Sequence, residues 1–205
     1  MNLEIIKKYY EPKSILDIGA NVGQFYNESK SIFTNSYYYL IEGNLKCEES
    51  LKQLNVDYCM SLLSDEIKEV DFYTRIHEER CTGNSIYREK TSFFDDDQIL
   101  LEKRLTSTLD NILPNKTFDL IKIDVQGSEL DIINGGIQLI KNSKMVILEI
   151  SLVEYNEGSP TKEKVYEKMF ELGFKDVEIL GTINHPLTYE LIQQDVLFVN
   201  ENNLK

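Results

Sequence analysis

Short apolar runs alternate along the chain with stretches of helical period, the pattern of an α/β domain with a mainly parallel sheet. The first run, 14–18, ends in Asp17-Ile18-Gly19. A helix is expected over 23–33, with Phe25, Ile32 and Phe33 turned inward. Residues 37–41 are apolar at successive positions, as in a strand buried on both faces. Asn44 is placed to cap a helix reaching to about residue 54, because its side chain can accept from a free N–H of the first turn. Residues 56–63 read as a third strand.

The regularity then weakens. Residues 70–75 alternate as a strand does, and 75–97 are polar with a Gly83-Asn84 turn signal. So long a connection inside a compact domain points to a functional segment, here a candidate lid. The core pattern returns at Thr108-Leu109-Asp110 and in a strand over 120–125. Ser128 and Asp131 have the spacing of a capping box before a helix whose apolar face is Ile132, Ile133, Ile137 and Ile140. A strand over 145–150 follows. Ser159-Pro160 supplies an N-cap and a first-turn proline for a helix ending at Gly173. Residues 174–180 and 196–199 are expected to close the sheet as a hairpin-like pair, and 2–10 to form a short amphipathic helix. With no repeat or linker, the 205 residues are expected to make one domain.

Composition adds exclusions. A net charge of −13 argues against a binder of phosphate backbones, which normally presents a basic face, and favours a small or neutral partner. No apolar run approaches the ~20 residues that cross a bilayer, so no stable membrane insertion is expected. The N-terminal stretch has no continuous apolar core of the kind a signal peptide carries. Cys47, Cys59 and Cys81 form no CxxC pair, which fits reduced thiols in a cytoplasmic protein.

The turn after the first strand carries the chemistry. It reads Asp17-Ile-Gly19-Ala20-Asn21-Val-Gly23. Gly19 permits a tight turn and Gly23 a close approach of helix to sheet, while Asn21 is a residue type that tolerates left-handed backbone. Glu42 falls at the end of the second strand, where a carboxylate can accept from both hydroxyls of a ribose. The dinucleotide spacing GxGxxG is absent, and Asp17 would repel a phosphate. A nucleoside ligand with a cationic amine or sulfonium fits better, so S-adenosylmethionine is favoured over NAD. The alternatives left open are an NAD-dependent oxidoreductase or epimerase and a catalytically silent cofactor-binding module.

From about Ser14 to Ser151 the chain resembles the FkbM-type methyltransferases. The resemblance is carried by Leu16-Asp-Ile-Gly-Ala-Asn-Val-Gly23, Ile41-Glu-Gly-Asn44, Ser64-Asp65, Thr82-Gly-Asn-Ser85, Thr108-Leu-Asp110, Ile121-Lys-Ile-Asp-Val-Gln-Gly-Ser-Glu129 and Leu148-Glu-Ile150. It implies a Rossmann-like class I methyltransferase fold with a seven-stranded, mostly parallel sheet and helices on both faces. It also implies O-methyl transfer to sugar hydroxyls in glycan, glycolipid or natural-product assembly. Ser64 and Asp65 would then lie by the adenine, and the cofactor contacts would be Asp17, Gly19, Ala20, Asn21, Gly23, Phe25, Glu42 and Asp124. Position 126 is Gln where many members carry Glu.

A sugar hydroxyl is a weak nucleophile, so a base or metal should help remove its proton. Asp124, at the carboxyl end of a central strand, is the leading candidate, followed by Glu149 and Glu129. Together these three could hold magnesium, which takes a few carboxylates plus water, though nothing in their spacing requires it. Lys122 is expected to pair structurally. His77 could act as base or sensor from the long connection, and His185-Pro186 reads as a turn. Asn84, Ser85 and Arg88 are candidate lid contacts to the acceptor or the cofactor's carboxylate.

Overall fold

The computed structural model describes residues 1–76, 82–91, 94–185 and 188–204. His77, Cys81 and Pro186 lie outside them. Seven strands form one sheet in the order β3-β2-β1-β6-β7-β9-β8. They are β1 (Ser14–Ile18), β2 (Tyr37–Glu42), β3 (Asp57–Met60), β6 (Leu120–Ile123), β7 (Met145–Ser151), β8 (Lys175–Asn184) and β9 (Leu191–Val199). All neighbours are parallel except β7–β9 and β8–β9. The chain leaves β1 on one side for β2 and returns on the other as β6, so a crevice opens at the carboxyl ends of these strands.

The central strands are apolar throughout because both faces are covered. Leu16, Ile18, Ile121, Ile123, Val146 and Leu148 pack on one side against the helices that carry Leu109, Ile132, Ile140 and Met169. Ile15, Leu120, Met145 and Ile147 pack on the other against Leu3, Ile6, Phe25 and Phe33. Strand alternation places Asp17, Lys122 and Glu149 on this second face, just beyond the apolar rows.

Several boundaries differ from expectation. The helix expected over 23–33 is α1 (Gln24–Ser29) followed by turns that still bury Phe33. After Asn44, whose side chain accepts from the Lys46 N–H, comes a 3-10 turn and then α2 (Glu48–Gln53). The N-terminal element is likewise a 3-10 helix, Leu3–Lys8. β4 (Glu69–Arg75) pairs antiparallel with β5 (Ile99–Leu105) in a separate two-stranded sheet. β5 carries no clear strand signal in the sequence because Glu102, Lys103 and Arg104 interrupt its leucines.

Two capping expectations are corrected. Ser128 makes no side-chain cap for α4 (Glu129–Gly135), and Asp131 accepts instead from the Tyr87 hydroxyl at 2.7 Å. The last helix, α6 (Lys162–Glu171), starts after Thr161 rather than Ser159, whose hydroxyl donates to the Asn156 carbonyl. Thr108-Leu-Asp110 opens α3 (Leu109–Ile112), and the Asp110 carboxylate accepts from the N–H groups of Gln138 and Leu139 in α5 (Ile137–Lys141). Among the described residues no helix is long and apolar enough to cross a membrane.

Candidate active site

The glycine turn is wedged between two strands. Gly19 and Ala20 both donate to the Ile41 carbonyl, at 2.9 and 3.1 Å, and Asp124 N–H donates to Ile18. Gly19 has φ +79°, and a Cβ there would overlap the Asp124 carbonyl oxygen, so only glycine lets β1 turn against β6. Asn21 takes the left-handed conformation at φ 53°, as its residue type allows. Its N–H donates to Glu42 Oε2 at 2.7 Å, while Asn44 N–H donates to Glu42 Oε1 at 2.7 Å. The end of β2 thereby fixes both the turn and the carboxylate. Burial lifts the Glu42 pKa, and the backbone donors oppose it.

Lys122 organises the carboxylates beyond the strand ends. Its Nζ lies 2.8 Å from Asp124 Oδ2 and 3.8 Å from Asp17 Oδ1. Burial disfavours its charge, yet Asp124 and Asp17 hold its pKa above the ordinary value. Asp17 is fully buried, and neither carboxylate oxygen has a hydrogen-bond partner among the described residues. Burial raises it to about 6 against the pull of Lys122.

Gln126 ties the next carboxylates together. Its Nε2 donates to Glu149 Oε2 at 2.7 Å and lies 3.4 Å from Asp124 Oδ1. Gln193 Nε2 donates to the same Glu149 oxygen at 2.9 Å. Gln126 takes φ 59°, and its carbonyl accepts from the Ser85 hydroxyl at 2.8 Å. Glu149 is pushed well above the ordinary carboxylate value by burial and by Asp124, Glu129 and Asp195, with Lys122 pulling the other way. Glu129 turns under the loop, where Oε1 accepts from the N–H groups of Val125 and Gly127, and burial raises it to about 7.

A cavity of about 390 Å³ opens over this arrangement. Gly19, Ala20, Asn21, Phe25, Glu42, Asp124 and Glu149 line it, as do Asn84 and Ser85 of the candidate lid. Asp17 lies behind the wall. Gly23, Ser64, Asp65 and Glu129 do not line it either. Gly23, at φ +84°, leaves room for Leu54, and Asp65 pairs with Lys68 at 2.6 Å. In place of Ser64 and Asp65 the wall is formed by Ser61, Leu62 and Leu63.

The family model described as the methyltransferase FkbM domain matches residues 17–175. The chain belongs to the FkbM methyltransferase family. No protein of curated function matches it. Among solved structures it is similar to the Synechocystis PCC 6803 magnesium protoporphyrin IX methyltransferase with bound SAM, at TM-score 0.56 and 9% identity over 97% of this chain and 75% of that one. It is also similar to a putative tRNA (m1A22) methyltransferase of Streptococcus pneumoniae (TM-score 0.53, 10% identity, 97% and 68% covered). The plantazolicin methyltransferase BpumL in complex with SAH is a third such structure (TM-score 0.51, 13% identity, 97% and 80% covered). The seven-stranded sheet is thus the class I methyltransferase sheet.

In this FkbM methyltransferase the discriminating segment 121–129 builds the floor between Lys122 and Glu129. The trio considered for magnesium is not assembled: Lys122 Nζ sits on Asp124, and Glu129 faces the loop backbone. Among the described residues no group of three or more His, Cys, Asp or Glu side chains is arranged to hold a metal ion. Arg88 is committed within its own segment, donating to the Phe94 carbonyl at 2.7 Å and pairing with Asp96 at 2.8 Å. His185 lies at the β8–β9 connection, with Nδ1 accepting from Thr188 N–H, outside the cavity lining. Lys122, Gln126 and Leu62 also line the cavity without having been singled out as site residues. Lys122 was detectable as a charge inside an apolar strand, whereas Leu62 looks like any core leucine.

Proposed function

We propose that this protein transfers a methyl group from S-adenosylmethionine to a hydroxyl oxygen of a sugar or sugar-bearing small molecule, with Glu149 as the general base. The observation that carries the base assignment is the state of the Glu149 carboxylate. It lines the cavity, two amides occupy Oε2, and Oε1 accepts from no described residue. Asp124 is a weaker candidate because Lys122 holds it as an ion pair.

The residues present fit the cofactor. Asp17, Asp124 and Glu149 stand around one Lys122, and Glu42 is close enough to Asp17 and Asp124 to act on both, so acidic groups outnumber the cation, which suits a cationic ligand and opposes a pyrophosphate. The turn residues Gly19, Ala20 and Asn21 on the cavity wall and the fixed Glu42 carboxylate suit a ribose, and Leu62 and Leu63 supply an apolar wall for a base. S-adenosylmethionine supplies an electrophilic methyl group on positively charged sulfur.

The chain's own contribution is binding, alignment and proton removal. The turn from Gly19 to Asn21 and Glu42 hold the nucleoside, and the carboxylate field favours the positive end of the ligand. Glu149 would take the proton of the acceptor hydroxyl, and bound S-adenosylmethionine would supply the methyl group to that oxygen and leave as the neutral thioether. Gln126 and Gln193 keep Glu149 in place during that proton transfer. Alignment of the two ligands contributes much of the rate.

The test is transfer of labelled methyl from S-adenosylmethionine to methyl hexopyranosides and nucleotide sugars. Label in an alkali-stable ether, lost in Glu149→Gln with S-adenosylhomocysteine affinity retained, is the expected result. Label on nitrogen or RNA, or no binding of S-adenosylhomocysteine, would overturn the reading.

A further inference from the structure

A second cavity, of about 270 Å³, lies next to the first. Thr82, Gly83 and Gln126 line both, so these residues are the partition between them. The far side is formed by Arg75, Glu89, Phe94, Tyr155 and Gln193. We infer that this second cavity is the acceptor subsite, and that it takes one uncharged, multiply hydroxylated ring. The inference rests on the methyl-transfer reading given above.

Its position is the first argument. Glu149 lines the first cavity, and its Oε2 accepts from Gln193, which lines only the second, and from Gln126, which lines both. The proposed base therefore stands where a ligand in one cavity meets a ligand in the other. Because Gln126 Nε2 faces two carboxylates, its amide orientation is set, and its Oε1 accepts from no described residue. That oxygen is offered at the partition to a hydroxyl donor.

Chemistry is the second. Thr82, Gln126, Tyr155 and Gln193 offer neutral donors and acceptors, and the charges of Arg75 and Glu89 are of opposite sign. Glu89 is buried and accepts from the Thr91 hydroxyl, and burial, with Glu89 beside it, raises the Tyr155 hydroxyl to about 12. Phe94 and Tyr155 add aromatic surface. Alternating hydrogen-bonding groups around aromatic surface match a ring with equatorial hydroxyls and an apolar C–H face. They do not match a porphyrin, whose area is largely apolar.

Size and construction are the third. The volume falls just below the ~300–1,000 Å³ of sites for drug-sized ligands, so one ring fits and the rest of a longer acceptor stays outside. The walls are fastened. Ser85 pairs with Tyr73 in β4, Lys90 N–H donates to Tyr155 at 3.0 Å, and Glu157 N–H donates to Arg88 at 2.8 Å. Asn156 Nδ2 donates to the Tyr87 carbonyl at 2.8 Å.

The experiment has two stages. Calorimetry first measures S-adenosylhomocysteine affinity in the wild type, Tyr155→Ala and Tyr155→Phe, and equal values are expected because Tyr155 lies outside the first cavity. Saturation-transfer NMR then follows the methyl glycosides of glucose, galactose and mannose on protein saturated with S-adenosylhomocysteine. Ring C–H signals for at least one glycoside are expected in the wild type. Their binding should weaken at least tenfold in Tyr155→Ala and less in Tyr155→Phe, which keeps the ring. Absence of contact with every glycoside, or binding indifferent to Tyr155→Ala, overturns the subsite assignment while S-adenosylhomocysteine still binds. Failure of S-adenosylhomocysteine to bind the wild type would instead remove the methyl-transfer reading and the subsite with it.

Discussion

Lys122 and Asp17 face each other in register across β1 and β6, with Nζ 3.8 Å from Oδ1, and the lysine's short contact goes to Asp124 instead. Asp17 is therefore a buried carboxylate with a charge partner but no hydrogen bond from a described residue. Leaving it in that state costs stability, because a desolvated carboxylate without donors is held in the charged form at a penalty.

The first prediction concerns that penalty. Asp17 titrates near 6 when folded and near its ordinary 3.8 when unfolded, so the folded state binds the proton more tightly between these values. Stability of the ligand-free protein should then fall as pH rises through this window, by about 1.4 kcal/mol per pH unit from this group. Asp17→Asn should remove that slope and raise the melting temperature at pH 7, while weakening S-adenosylhomocysteine severalfold through loss of negative potential. Urea titrations from pH 4 to 7 check the first part and calorimetry the second. An unchanged slope would show that Asp17 does not titrate there.

The second prediction separates the two glycines of the turn. Both have positive φ, but a Cβ on Gly19 meets the backbone carbonyl of Asp124, while one on Gly23 meets the end of the Leu54 side chain. The Asp124 backbone, held at the end of β6 by its N–H bond to Ile18, cannot easily step aside, and a leucine tip can. Gly19→Ala should abolish S-adenosylhomocysteine binding and lower the melting temperature strongly. Gly23→Ala should cost on the order of the 1–2 kcal/mol of left-handed strain and leave binding measurable. Equal effects in paired thermal melts and calorimetry would contradict the packing argument.

Much of this fold is legible in the sequence. The apolar runs of β1, β2, β6 and β7 are continuous because the sheet is covered twice, and that continuity is a strong signal in sequence. Asp17, Gly19 and Glu42 stand out in the sequence because each falls at a strand end; in the structure Gly19 and Glu42 line the cavity and Asp17 does not. Glu129 reads in the sequence as a candidate base after Asp124 and Glu149; its place under the loop shows only in the Val125 and Gly127 N–H groups that Oε1 accepts. Leu62 and Tyr155 were illegible for another reason. Their importance comes from which cavity they border, and that depends on loops separated by tens of residues.

Glu42 supports a third prediction. Each of its oxygens accepts one backbone N–H, from Asn21 and from Asn44. Glu42→Gln keeps the shape but turns an NH₂ toward one of those N–H groups. The lost bond and the facing donors should cost about 1–3 kcal/mol. Because Asn21 is held by one of them, S-adenosylhomocysteine should bind at least tenfold more weakly. A variant with wild-type affinity would show that the turn is positioned without Glu42.

The last prediction uses Gln126 to read Glu149. The folded Glu149 pKa lies well above the ordinary carboxylate value, so the ionised base forms only as pH rises through that higher value, and kcat should rise with it. Gln126 donates to Glu149 at 2.7 Å, and Gln126→Glu replaces that donor by a third carboxylate beside Glu149 and Asp124. A like charge at hydrogen-bond distance disfavours ionisation further. The pH–rate profile of Gln126→Glu should therefore move to higher pH, with activity at neutral pH reduced and recovered in alkaline buffer. Glu149→Gln should instead lose about 10²–10⁴-fold at every pH. If Gln126→Glu lowers the rate equally at all pH values, the proton acceptor is some group other than Glu149.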